Sequence, residues 1–208
     1  MQSRNNFQRK SSNRRQQRDR ILIVCEDGKN SVGYLDALCS DWRLTAAEVE
    51  VNPSDGSAPI TVFKYAKKKM ELSLKDEPSN SYDWVYCVFD KDDHPSYNET
   101  LLKIKKETYM EAITCVPSFE FWLLIHFEET TRPMDNRDLI KMIKKHIPKF
   151  DKDKVSYSDL YTNYLRERTD IAIKNSEIIL RQVSSTDTDN PSTKMHILVE
   201  RLKKESRK

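Results

Sequence analysis

Two apolar runs, each ending in carboxylates, constrain the fold of this chain most. Arg20-Ile21-Leu22-Ile23-Val24-Cys25 leads into Glu26, and Trp84-Val85-Tyr86-Cys87-Val88-Phe89 leads into Asp90-Lys91-Asp92-Asp93-His94. Short runs rich in β-branched and aromatic residues read as strands buried on both faces, the habit of parallel sheets. In open α/β sheets ligands sit beyond the carboxyl ends of the strands, which is where Glu26 and Asp90 fall. Packing gives no reason to gather so much negative charge at one edge. A bound divalent cation does.

Around these two runs the pattern alternates. The first strand, about 20–26, is followed by the turn Asp27-Gly28-Lys29-Asn30 and a helix whose apolar face carries Val32, Leu35, Leu38 and Cys39. Glu48–Val51 reads as a second strand, and 52–57 as a loop. Residues 60–74 predict an amphipathic helix with Ile60, Phe63, Ala66, Met70 and Leu74 inward and Lys67-Lys68-Lys69 mostly outward. A third strand at about 83–89 precedes the acidic loop, a helix runs from Tyr97 to Lys106, and Ala112–Val116 forms a fourth strand stopped by Pro117. This predicts an α/β fold: a Rossmann-like, mostly parallel sheet of about four strands with helices on both faces. Beyond Ser118 four helices follow, at 119–127, 136–147, 158–183 and 191–205, as a helical layer that closes the sheet or forms a small appended subdomain.

The acidic loop carries the clearest chemistry. Asp90 and Asp92 are two apart, so in extended backbone both point the same way. Hard oxygen ligands so placed suit Mg²⁺ or Mn²⁺, with Glu26 and Asp93 as neighbouring donors. An EF-hand does not fit, because His94, Pro95 and Leu101 stand at its third-acid, glycine and glutamate positions. The segment Gly28–Gly33 is not a phosphate loop either, since Tyr34-Leu35 replaces the required Lys-Ser/Thr pair. Asn30 or Ser31 is the expected cap of the first helix, which leaves Glu26 for another purpose. Lys29 at that helix start is an exposed lysine or a phosphate neutraliser.

A third constellation is Pro117-Ser118-Phe119-Glu120-Phe121-Trp122. Ser118 suits a helix N-cap and Glu120 a first turn, while Glu120 also follows the fourth strand at the carboxylate edge and is a candidate metal ligand. His126 reads as a packed histidine, and His94, inside the acidic loop, as the better functional one. Tyr157, Tyr161 and Tyr164 read as a packed helix face, and Asn190-Pro191-Ser192-Thr193 as a cap with proline at the first helical position. His146 and His196 have no partner at ligand spacing.

Charge is unevenly distributed. Residues 1–20 hold seven basic side chains, Arg14, Arg15 and Arg18 among them, against the single acid Asp19, so 1–19 is expected to be a disordered basic arm. Such an arm beside an acidic metal site favours a polyanionic partner, with Arg14, Arg15, Arg18, Lys29 and Lys91 as nucleic-acid contacts. The 208 residues then divide into that arm, an α/β core over 20–130 and a C-terminal helical extension over 131–208 packed on it. Four cysteines without CxxC spacing, and no apolar run near the ~20 residues of a membrane span, place the chain in the cytoplasm with reduced thiols.

The strand ends at Glu26 and at Asp90-Lys91-Asp92, with the βαβα length between them, resemble a Toprim domain, the catalytic fold of topoisomerases, primases and overcoming-lysogenization-defect (OLD) nucleases. Ile21–Glu26, Val88–His94, Ser118–Phe127 and Asn190–Thr193 together resemble the RloB-like family; a Glu-Gly junction of that family is lengthened here by Asp27. The resemblance implies a Mg²⁺- or Mn²⁺-dependent nuclease of anti-phage defence, acting on RNA or DNA beside an ATPase partner. Glu26 would then move protons or bind metal, Asp90 and Asp92 would hold it, and Ser118 with Glu120 would match the Ser-x-Glu element of OLD nucleases. Lys29, Lys91 or His94 would add positive charge near the developing oxyanion. The alternative is a non-catalytic subunit that binds an ATPase or a nucleic acid without cutting. A nucleotidyl transferase or phosphatase lacks a nucleotide-binding glycine loop here. Assembly into a homo-oligomer stays open.

Overall fold

The computed structural model describes residues 18–46, 48–76, 78–91, 94–186 and 188–206. Its strands are β1 (Ile21–Cys25), β2 (Val49–Pro53), β3 (Trp84–Asp90), β4 (Met110–Val116) and β5 (Ser192–Thr193). Its helices are α1 (Asn30–Asp41), α2 (Pro59–Asp76), α3 (Tyr97–Lys105), α4 (Glu120–Leu124), α5 (Asn136–His146), α6 (Tyr157–Leu160), α7 (Thr169–Val183) and α8 (Met195–Ser206). The strands form one sheet in the order β2-β1-β3-β4-β5. The first four are parallel, and β5 joins antiparallel on Cys115 and Val116. This is the expected mostly parallel α/β sheet with a helical carboxyl half.

Strand β1 shows why the apolar runs are so continuous. Neighbours flank it on both sides and helices cover both faces, so all five of its residues are fully buried. Its side chains alternate between two cores. Ile21, Ile23 and Cys25 join Leu35 and Leu38 of α1, Trp122 of α4, Ile143 of α5, Ile179 of α7 and Leu198 of α8. Leu22 and Val24 join Val62, Phe63 and Ala66 of α2 and Ile104 of α3 on the other face. The chain therefore leaves β1 toward one face and β3 toward the other. This change of direction between adjacent strands is the switch point at whose carboxyl edge, the crevice of open α/β sheets, ligands bind.

The carboxyl half closes the sheet rather than standing apart, because β5 extends it and α5, α7 and α8 share the core with β1. Several expectations need correction here. Pro191 does not stand at the first helical position: Ser192-Thr193 pair with β4, and α8 starts only at Met195, whose N–H donates to Thr193 Oγ1 at 3.1 Å. Strand β2 runs on to Pro53, into the start of the expected loop. The helix expected over 119–127 is shortened to Glu120–Leu124. The helix expected over 158–183 is broken by a π turn at Tyr161–Leu165 and a 3₁₀ turn at Arg166–Arg168. Leu74, expected inward, is 48% exposed. It lies in the last turn of α2, beyond Met70, the last buried residue of that helix.

Candidate active site at the carboxyl edge of the sheet

Glu26 leaves β1 with its backbone N–H donating to the carbonyl of Val88 at 2.9 Å, which keeps it in register with β3. Its Oε2 accepts from the backbone N–H of Asp90 at 2.8 Å. One carboxylate thus spans the crevice and fixes the strand end that carries the next. Lys91 N–H donates to the carbonyl of Cys115 at 2.8 Å, continuing the ladder onto β4. Asp92 and Asp93 lie outside the described residues, as do Arg14 and Arg15.

Asp27 takes the role expected of Asn30 or Ser31. Its Oδ1 accepts from the backbone N–H groups of Lys29, at 2.8 Å, and Asn30, which caps α1. Asn30 is thereby free to use its side chain elsewhere, and its Nδ2 donates to Glu120 Oε1 at 3.2 Å.

Glu120 is the hub of the site. Its residue is 1% exposed, yet it remains ionised because four groups donate to it. Tyr157 Oη reaches Oε1 at 2.6 Å, Ser118 Oγ reaches Oε2 at 2.7 Å, and Lys152 Nζ reaches Oε2 at 3.0 Å. Burial alone would raise the carboxyl's pKa, but Lys152 and the hydroxyls of Tyr157 and Ser118 hold it below the ordinary carboxylate value. All the lone-pair directions of Glu120 are used, so in this arrangement it holds the shape of the site. Ligation of a metal by Glu120 would exchange one of these bonds. Ser118, expected to cap α4, makes no side-chain cap there and supports this carboxylate instead.

The donors gathered by Glu120 feel the rest of the edge. Burial would lower the pKa of Lys152, but Glu120, then Asp90 and Asp27, hold it above the ordinary lysine value. Tyr157 is pushed up by burial, then by Glu120, Asp27 and Asp90, so its hydroxyl stays protonated. The Cys115 thiol is raised well above its usual value, first by burial and then by Asp90. Asp27, Asp90, Glu120 and Lys152 therefore share one electrostatic environment.

The other expected residues take different places. Lys29 is exposed, and its Nζ donates to the carbonyl of Asp153, the residue after Lys152. Lys91 Nζ is paired with both oxygens of Asp189, at 2.7 and 2.8 Å. His94 is exposed, with Nδ1 2.8 Å from Ser96 Oγ and 3.2 Å from Ser96 N–H, at the start of α3. Arg18 pairs with Glu48 at 2.7 Å, at the amino ends of β1 and β2, the far side of the sheet from the carboxylates. His126 is a packed histidine: fully buried, 2.8 Å from the Trp122 carbonyl, and with its pKa pushed down to about 4 by burial.

Among the described residues, no group of three or more His, Cys, Asp or Glu side chains is close enough to hold a metal ion. Glu26 and Asp90 supply hard oxygens on adjacent strand ends. Mg²⁺ is commonly held by one or two carboxylates, with waters and substrate phosphates completing its shell, and this pair fits that habit. Asn30, Lys152 and Tyr157 were missed as site residues. The sequence marks Asn30 only as a cap and Tyr157 only as part of a packed helix face, and Lys152 sits among alternating Asp and Lys residues with nothing local to mark it.

These features define an α/β protein with a mostly parallel sheet and acidic side chains converging on the crevice at its carboxyl edge. The chain belongs to the RloB-like protein family, whose model matches residues 21–202. No curated protein and no solved structure matches it significantly. Among the described residues, no helix is long and apolar enough to cross a membrane.

Proposed function

We propose that this chain is a metal-dependent nuclease that hydrolyses phosphodiester bonds of RNA or DNA, with Glu26, Asp90 and Asp92 at the reacting centre. The observation that carries the reading is the bond from the Asp90 N–H to the Glu26 carboxylate, which holds two acidic strand ends across the crevice. A divalent ion held there would polarise the phosphate and supply a hydroxide-like water near neutral pH. The chain's own residues complete the chemistry. Lys152, kept charged by Glu120 and lying within electrostatic reach of Asp90, would offset negative charge developing on the phosphoryl oxygens. Tyr157 stays protonated and holds Glu120 in place, and Glu26 would serve as the base. The resemblance to Toprim and OLD nucleases supports the same roles, and from it come the proposed anti-phage setting and the ATPase partner.

The test is incubation of the purified chain with labelled tRNA, single-stranded RNA and plasmid DNA, with and without Mg²⁺ or Mn²⁺. The parent should cut at least one of them only with metal, and Glu26→Gln and Asp90→Asn should not. A parent that binds one of these but cuts none would be the non-catalytic interaction subunit.

A further inference from the structure

A second set of basic residues that fits a nucleic acid lies on α5, outside the amino-terminal arm. Helix α5 is sharply two-sided. Leu139 and Ile143 are buried, and Ile147 just past its end continues that face. Arg137, Lys141, Lys144 and Lys145 are all exposed. At 100° per residue these four fall within an arc of about 100°. Lys149 follows, also exposed, and then Lys152 in the site.

Helix electrostatics do not account for this stripe. Lys144 and Lys145 in the last turn complement the helix dipole, but Arg137 stands in the first turn, where a cation is disfavoured. Arg137 pairs with Asp135 at 3.3 Å and Lys141 with Asp138 at 3.0 Å, and such open pairs contribute little. From Arg137 to Lys145 the helical part of the stripe is about 12 Å long, enough for three to four phosphates at about 3.4 Å each, and Lys149 lies beyond the helix end. Met134 and Met142 line a pocket of about 220 Å³ beside Lys141 and Lys145, with Arg132 on its wall. An apolar floor next to a guanidinium suits a base turned out of a single strand.

The far end of the stripe is what gives it direction. Phe150 is buried and anchors the segment after α5. Two residues on, Lys152 is fixed on Glu120, and the Asp153 carbonyl takes the Lys29 ammonium. We infer that the basic face of α5, continued through Lys149 to Lys152, is the track along which a nucleic-acid phosphate backbone reaches the carboxylate edge. This rests on the nuclease reading for its purpose, but binding to the track is separate from cleavage.

The test is a salt titration of binding by the full chain in EDTA, read by anisotropy of labelled single-stranded RNA, single-stranded DNA and duplex DNA. One variant carries Lys141→Ala, Lys144→Ala, Lys145→Ala and Lys149→Ala. A control carries Lys64→Ala, Lys68→Ala, Lys105→Ala and Lys106→Ala, exposed positions on the other face of the sheet. Removing four phosphate contacts should flatten the log–log salt slope by about 3 for a single strand, roughly a 50-fold smaller loss of affinity over a fourfold rise in salt. The control should keep the parent slope, and both variants should melt like the parent. Equal slopes for stripe and control variants would overturn the track, as would a parent that binds anionic vesicles but none of the three nucleic acids. Stripe-dependent binding without cleavage in Mg²⁺ or Mn²⁺ would support the track and remove the nuclease reading alone.

Discussion

Replacing Tyr157 by phenylalanine removes one oxygen and leaves a buried ring in place. That oxygen donates to Glu120 at 2.6 Å, and Glu120 is almost wholly buried. A hydrogen bond to a charged group is worth about 1.5–3 kcal/mol net. Three donors remain on the carboxylate, from Asn30, Ser118 and Lys152, so the loss should fall in the lower half of that range. For a chain of this size each kcal/mol moves the melting temperature about 2–4 °C, so Tyr157→Phe should melt roughly 3–9 °C below the parent. In a Glu120→Gln background the lost bond is between neutral groups, and the same change should cost about half as much. Urea unfolding of the parent, both single variants and the double variant at pH 7 measures all four corners. A Tyr157→Phe cost under about 0.5 kcal/mol, or an equal cost in both backgrounds, would refute the hub.

Three further outcomes follow from the same geometry. The folded Glu120 carboxyl lies below its ordinary pKa, so its contribution is present above the unfolded value of about 4.3 and is lost as pH falls through the folded one. The stability gap between parent and Glu120→Gln, measured in urea from pH 7 to 3, should therefore shrink below about pH 4. His126 is held down to about 4, so the parent should lose stability as pH falls from about 6.5 to 4, by up to about 3 kcal/mol, and His126→Phe should level that part of the curve. Lys152→Met should lower the rate of cleavage about 10²–10³-fold, read by single-turnover kinetics, and should also lower stability because the buried Glu120 loses its cation, so circular dichroism at the assay temperature checks that the variant is folded.

The parallel core was legible because burial on both faces forces uninterrupted apolar runs, and β1 and β3 fall within a residue of where those runs place them. The convergence of Glu26 and Asp90 was legible too, since parallel strands bring their carboxyl ends to one edge. Strand β5 was not, because two residues paired to Cys115 and Val116 leave no periodicity to read. The interruption of the helix after Leu160 was hidden for a related reason. The stretch keeps helical spacing throughout, and only tertiary contacts decide the turn: the Tyr157 hydroxyl on Glu120 and the Tyr161 hydroxyl on Asp41 at 3.1 Å. Lys152 could not be found from spacing, since it returns to Glu120 from 32 residues away.

The proposed cation site of Glu26 and Asp90, at the edge between β1 and β3, should show itself in the thermal response to metal. A ligand bound only by the folded state, at 100 times its dissociation constant, stabilises by about 2.7 kcal/mol, or roughly 5–11 °C here. The parent's melting temperature should rise with the logarithm of Mg²⁺ or Mn²⁺ concentration, and Asp90→Asn should lose most of that rise. Equal metal-induced shifts for the parent and Asp90→Asn would rule out the cation site and leave the carboxylates as a solvated acidic edge.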